Sequence, residues 1–167
     1  MGRLPEFELT AVSAQTKEKS LRLPDLAGRA WVAGFVFTRC EGPCPRISAT
    51  MARLQQDLPA GAGLLTFTVD PDRDDAKTLA AYAERLRADP SKWLFVTGPK
   101  AKLMPFLLEG FKLPAVEDPG APSGRRVTHT TRLALIDGQG RLRGYFDSED
   151  EVEVKRLIAA AGHLPPR

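Results

Sequence analysis

Apolar residues divide this chain into two kinds of segment. Trp31 to Phe37 is a continuous apolar run rich in β-branched and aromatic residues, and Leu64 to Val69 is a similar run that admits Thr66 and Thr68; both have the pattern of buried strands. Trp93-Leu94-Phe95-Val96 is a third such run, closed by Thr97-Gly98-Pro99. Between them apolar positions recur every three or four residues. Ile47, Met51, Leu54 and Leu58 predict an amphipathic helix over Pro45 to Leu58. Leu79, Tyr82, Ala83 and Leu86 predict a second from about Asp75 to Arg87, and Leu103, Phe106 and Leu107 a third from about Lys100 to Glu109. Leu113 to Arg126 breaks the pattern with prolines and glycines and no periodicity, which predicts a long loop; loops of that length are often functional. Arg132 to Ile136 is a further strand, Asp137-Gly138-Gln139-Gly140 a turn, and Arg141 to Phe146 its antiparallel return. Asp147 to Asp150 lead into a last helix, Glu151 to Ala161, and Ser148 with Glu151 has capping-box spacing.

Ahead of these elements, Phe7 to Val12 alternates weakly and predicts a short strand. Lys19 to Leu23 would pair with it across a turn at Ala14-Gln15-Thr16, and Leu23 to Arg29 would be a loop into the Trp31 strand. Strands separated by helices imply βαβ crossovers and a partly parallel sheet. The order matches an α/β, thioredoxin-like fold with an N-terminal β-hairpin extension. Residues 1–167 form one domain in this reading, with no internal repeat.

The chemistry concentrates in the Trp31 to Met51 stretch. It holds the only two cysteines, Cys40 and Cys44, in the loop between the first core strand and the helix that opens at Pro45. A thiol at a helix start lies near backbone N–H groups and the positive end of the dipole, which favours the reactive thiolate. Four residues make about one helical turn, so both sulfurs can face one point. There they can form a disulfide or hold a soft metal ion.

Composition narrows this further. Hydrophobic residues make up 43% and charged residues 27%, as in an ordinary soluble domain. The net charge of +3 comes without a Lys/Arg run interleaved with aromatics, so it does not argue for nucleic acid. No stretch reaches the roughly 18 consecutive apolar residues of a membrane span. Met1 to Ala11 lacks the order of a secretory signal, which leaves a cytoplasmic protein or one that begins after a removed leader or anchor.

Two thiolates leave a metal site incomplete, and the chain has only two histidines. His163 falls in the C-terminal tail and reads as a solvated terminal residue. His129 directly precedes a strand whose start, in a thioredoxin-like sheet, lies against the thiol loop. Two sulfurs and one imidazole suit copper, Cu(I) through the thiolates and Cu(II) through the imidazole as well. Zinc would usually want a fourth ligand or water. Trp31 and Trp93 read as core strand residues, and Met51 and Met104 as helical core rather than ligands.

The residues now carry a resemblance. Phe37-Thr38-Arg39-Cys40 with Cys44-Pro45, Val69-Asp70-Pro71-Asp72-Arg73-Asp74, Trp93 to Gly98, Val127-Thr128-His129-Thr130 and Leu135-Ile136-Asp137 resemble the Sco (SenC) family of copper proteins, in order and over nearly the whole chain. The resemblance implies a thioredoxin-like fold that binds one copper ion through Cys40, Cys44 and His129. It implies delivery of copper to subunit II of cytochrome c oxidase, or reduction of that acceptor's cysteines, during assembly of the binuclear copper centre. Other copper chaperones are further expected partners. It also implies an extracytoplasmic, periplasmic-type location, with a native form anchored by an N-terminal helix that this sequence lacks. The spacer Glu41-Gly42-Pro43 departs from the Pro-Asp-hydrophobic spacer of many relatives but keeps the spacing, so ligation is expected to survive while thiol potential and partner preference differ.

Two readings share the thiols: a copper metallochaperone, and a thiol–disulfide oxidoreductase in which Cys40 attacks a mixed disulfide and Cys44 resolves it. His129 favours the first. A peroxidase on this fold would want a Pro-x-x-x-Thr-x-x-Cys context, and Phe37 stands three before Cys40, so that reading is set aside. Asp70 and Asp74 are open between the place the resemblance implies, near the copper site or its partner surface, and a plain turn in which Asp72 or Asp74 caps the next helix. Arg125 and Arg126 could meet an acidic acceptor or simply be solvated.

Overall fold

The computed structural model of the chain describes residues 2–15, 18–39, 44–112 and 130–164. Its elements run β1 (Glu8–Val12), β2 (Lys19–Arg22), a 3₁₀ helix (Leu23–Leu26), β3 (Trp31–Val36), α1 (Cys44–Asp57), β4 (Gly63–Thr68), α2 (Ala76–Arg85), β5 (Trp93–Thr97), α3 (Lys100–Phe111), β6 (Arg132–Ile136), β7 (Leu142–Asp147) and α4 (Glu151–His163). The strands form one seven-stranded sheet in the order β2-β1-β5-β4-β3-β6-β7. Its centre, β5-β4-β3, is parallel. The β1–β2 hairpin joins one side through antiparallel β1–β5 pairing, and the β6–β7 hairpin joins the other through antiparallel β3–β6 pairing. This is the thioredoxin-like arrangement expected from the sequence, with the extra N-terminal hairpin built into the sheet.

The parallel strands are buried from end to end, which is why they read as runs of apolar and β-branched residues without charges. Side chains alternate between faces along each strand. The row Phe35–Phe67–Val96 faces α3, where Phe111 lies 5.0 Å from Phe35 and 5.3 Å from Phe67, and Phe106 packs tilted against Phe7 at 4.5 Å. The neighbouring row Gly34–Thr66–Phe95 faces α1 and α2. There Met51 of α1 sits so close to Gly34 that a Cβ would come within 3.3 Å of its sulfur, and Tyr82 of α2 meets Phe95 edge-on at 6.3 Å. α4 lies alongside α1, with Arg53 and Glu151 paired at 2.8 Å. Trp31 and Trp93 are core residues as expected; their indole N–H groups donate to Leu26 O and Thr66 Oγ1. Met51 is buried and Met104 half-buried against the core.

Several local expectations need correction. Leu23–Leu26 is a 3₁₀ helix, not a loop: Pro24 fits its first turn, and the Asp25 carboxylate accepts from Arg22 N at 2.7 Å. The capping box assigned to Ser148 and Glu151 is absent because α4 starts at Glu151 itself. Asp150 is the N-cap and accepts from the N–H groups of Val152 and Glu153. His163 ends α4 instead of lying in a tail, and it is exposed. α2 is capped by Asp75, which accepts from Thr78 N at 2.8 Å, and not by Asp72 or Asp74. It stops at Arg85, two residues early, where Arg87 takes a left-handed φ of 54°. α3 carries Pro105 in its interior and runs on to Phe111 before Lys112 turns left-handed. The long loop assigned to Leu113 to Arg126 lies outside the described residues.

Candidate metal and thiol site

Parallel α/β sheets gather their functional loops beyond the C-terminal ends of the strands. In this chain that end holds the exits of β3, β4 and β5, the start of α1 and, because β6 runs antiparallel to β3, the lead-in to β6. Cys44 is the first residue of α1 and is 1% exposed. Pro45 follows at the next helical position, where the missing N–H costs no internal hydrogen bond. One turn further on the same helix face, Ser48 is buried and shares a 2.6 Å hydrogen bond with the Tyr82 hydroxyl of α2. Cys40 and His129, the other two expected ligands, lie outside the described residues, as do Arg125 and Arg126.

The flanking chain on both sides is firmly held. At the start of β6, Thr131 O accepts from Ser148 N at 3.0 Å and from Ser148 Oγ at 2.6 Å. The carbonyl of Ser148 in turn accepts from Thr50 Oγ1 of α1 at 3.1 Å. Arg46, in the first turn of α1, pairs with Glu149 at 2.6 Å. That pair is mostly exposed and adds little stability. The Thr50–Ser148–Thr131 chain, buried at Thr50 and Ser148, ties the helix of Cys44 to the segment that follows His129.

Asp74, which the sequence left open between a role near the copper site and a plain turn, has partners that sequence reasoning missed. It is 1% exposed in the loop between β4 and α2. Its carboxylate accepts from Thr38 N at 3.0 Å, from Thr38 Oγ1, and from Thr68 Oγ1 at 2.7 Å, while its carbonyl accepts from Thr97 Oγ1 at 2.8 Å. One loop residue thus gathers the ends of β3, β4 and β5. The only sequence signal is a threonine at or just beyond the end of each of those strands, and nothing in the sequence says that the three converge. Asp70 has a separate place: its carbonyl accepts from Arg73 N and Asp74 N, and its carboxylate pairs with Arg73 at 3.2 Å.

Among the described residues no group of three or more His, Cys, Asp or Glu side chains could hold a metal ion. No helix among them is long and apolar enough to cross a membrane. The donor set named from the sequence, two thiolates and an imidazole, has the chemistry of a copper site.

Comparison with known proteins places the chain. A sequence model of the SCO1/SenC family matches residues 4–161. A SCO1 protein homolog of Bacillus subtilis is 30% identical over 158 residues, covering 92% of this chain and 80% of that protein. Among solved structures, a SCO1/SenC family lipoprotein from Bacillus anthracis superposes with a TM-score of 0.83 at 28% identity, over 98% of this chain and 95% of its own. BsSco, described as a member of the Sco family of cytochrome c oxidase assembly proteins with a disulfide switch, gives 0.80 at 26% identity, over 96% and 92%. The copper-bound ScoI of Bradyrhizobium japonicum shares the fold, with a TM-score of 0.77 at 19% identity over 99% of both chains. Matched from its first buried leucine to the last turns of α4, this chain belongs to the SCO1/SenC family.

Proposed function

We propose that this protein is a copper carrier that holds one copper ion between the thiolates of Cys40 and Cys44 and the imidazole of His129. It would deliver that ion to subunit II of cytochrome c oxidase during assembly of the binuclear copper centre. The observation that carries the reading is the placement of Cys44: a buried sulfur at the first residue of α1, at the sheet end where the chain leaves β3 and re-enters at β6. Copper as cargo is supported by the copper-bound relative of the same fold, and the oxidase by the family to which BsSco is assigned. The lipoprotein relative supports an extracytoplasmic, membrane-anchored native form.

The residues suit the task. Soft thiolates hold Cu(I), and an imidazole added on the β6 side stabilises Cu(II), so loss or gain of one ligand tunes the ion between storage and release. The oxidoreductase reading uses the same sulfurs, and the disulfide switch of BsSco supports a redox role alongside carriage. The test is ligand substitution. His129→Ala should weaken Cu(II) binding by more than the roughly 10- to 100-fold that loss of an outer-shell partner costs, while thiol titration stays intact. Cys40→Ser or Cys44→Ser should abolish tight binding. Unchanged Cu(II) affinity in His129→Ala would remove the third ligand from the account.

A further inference from the structure

An aspartate that is 1% exposed needs an explanation, because a buried carboxylate is costly unless its oxygens are satisfied. Capping does not supply one: α2 already has its cap in Asp75, which accepts from Thr78 N at 2.8 Å. Asp74 instead reaches across to the end of β3 and takes both the N–H and the hydroxyl of Thr38, 36 positions away in sequence. Thr68 Oγ1 braces the same carboxylate at 2.7 Å, and that hydroxyl also accepts from Asp70 N at 3.0 Å. Thr97 Oγ1 braces the Asp74 backbone from β5. The clasp therefore fixes Thr38, two residues beyond the end of β3 and just before the thiol segment, against two neighbouring strands.

The chemistry makes that point sensitive. A disulfide requires Cβ atoms about 3.5–4.5 Å apart and a narrow dihedral range, so small displacements of either cysteine change its strain. Cys44 is set by the first turn of α1. The chain sets out toward Cys40 from Thr38, and Asp74 determines where Thr38 sits.

We propose that Asp74 is a positioning residue for the thiol pair: by holding Thr38 just beyond the end of β3 it sets the balance between the Cys40–Cys44 disulfide and the open, metal-binding dithiol. This rests on the reading of Cys40 and Cys44 as a functional pair.

The test equilibrates the folded protein with mixtures of reduced and oxidised glutathione and measures the fraction oxidised by thiol labelling. One protein thiolate attacks glutathione disulfide and releases one glutathione; the second attacks the mixed disulfide and releases another. Two protein thiols are thus oxidised as one glutathione disulfide is reduced. Thr38→Val, which removes the hydroxyl arm, should shift this equilibrium constant about tenfold, and Thr38→Ser, which keeps it, should stay within about twofold of the parent. Asp74→Asn should shift it in the same direction as Thr38→Val, and it carries the test if Thr38→Val does not fold. Thr97→Val is the control: it loosens the same loop and lowers thermal stability but leaves the constant unchanged. A constant unmoved in Thr38→Val and Asp74→Asn, with stability lowered as in Thr97→Val, would overturn the proposal and leave Asp74 as a brace. A parent protein that forms no Cys40–Cys44 disulfide and takes up no copper would instead sink the reading of the pair, and the proposal with it.

Discussion

Asp137 shows how much one side chain can organise at a turn. It is buried at the β6–β7 corner, where Oδ1 accepts from the N–H groups of Gln139 and Arg141 at 2.9 and 3.0 Å and Oδ2 pairs with Arg141 Nε at 3.0 Å. Burial alone would push its carboxyl up, but the N–H groups of Arg141 and Gln139 and the Arg141 guanidinium together hold it below the usual carboxylate value. A depressed folded-state value means stability that is present above about pH 4, the unfolded value, and lost as pH falls through the lower folded value. Asp137→Asn should therefore be less stable than the parent near neutral pH, with the difference closing below about pH 4 in denaturant titrations. A difference constant with pH would show that the charge is not what matters. Asp150 gives a second residue-level expectation: as the N-cap of α4, its replacement by Ala should cost about 1 kcal/mol. Thermal unfolding of Asp150→Ala beside Ser148→Ala checks this, since Ser148 serves Thr131 and not the helix end. The sequence left that cap ambiguous because Asp147, Ser148, Glu149 and Asp150 all precede the helix, and only the register of its first turn selects one. The bonds of Asp74 were hidden for a deeper reason. Its partners Thr38, Thr68 and Thr97 are brought to it by strand pairing, which local sequence does not encode.

Elements, by contrast, were largely legible. The buried runs of β3, β4 and β5 and the three-and-four spacing of α1, α2 and α3 placed every central element within a few residues. The misses are local. The 3₁₀ helix at Leu23–Leu26 is too short for periodicity to show, and α3 runs two residues past its predicted end, tolerating Pro105 because that residue lies on its exposed side while Leu103, Phe106 and Leu107 hold the helix to the sheet. Close packing between elements also fixes a residue that looks unremarkable in sequence. Gly63 opens β4 directly under the Trp31 ring, where an added Cβ would fall 2.5 Å from a ring carbon. Arg29 stacks on that ring at 4.6 Å and donates to Gly61 O and Ala62 O, so the tryptophan has little room to retreat. Gly63→Ala should cost about 1–3 kcal/mol through this overpacking and perturb tryptophan fluorescence. A neutral effect would mean that the β3–β4 corner yields more than its contacts imply.

At the scale of the whole molecule, the sheet brings distant parts of the chain to one end. Antiparallel β3–β6 pairing sets the exit toward Cys40 and the lead-in from His129 at the same end of the sheet, although 89 positions separate those residues in sequence (129 minus 40). The cysteine pair stands out in the sequence because the chain has no other cysteines, and His129 was preferred because the alternative histidine falls at the far end of the chain; of the three, only Cys44 lies within the described residues. What could not be read was the scaffold around them: the Asp74 clasp and the Thr50–Ser148–Thr131 chain depend on long-range register. The central claim is that these parts converge on one copper ion. Its most direct test is anaerobic copper titration of the reduced, full chain, followed by absorption and EPR spectra. The account predicts one copper per chain with, for Cu(II), a thiolate-to-copper charge-transfer band and the hyperfine pattern of a mixed sulfur–nitrogen site. No copper uptake, together with rapid reduction of a disulfide substrate, would contradict it and make the oxidoreductase reading the correct one.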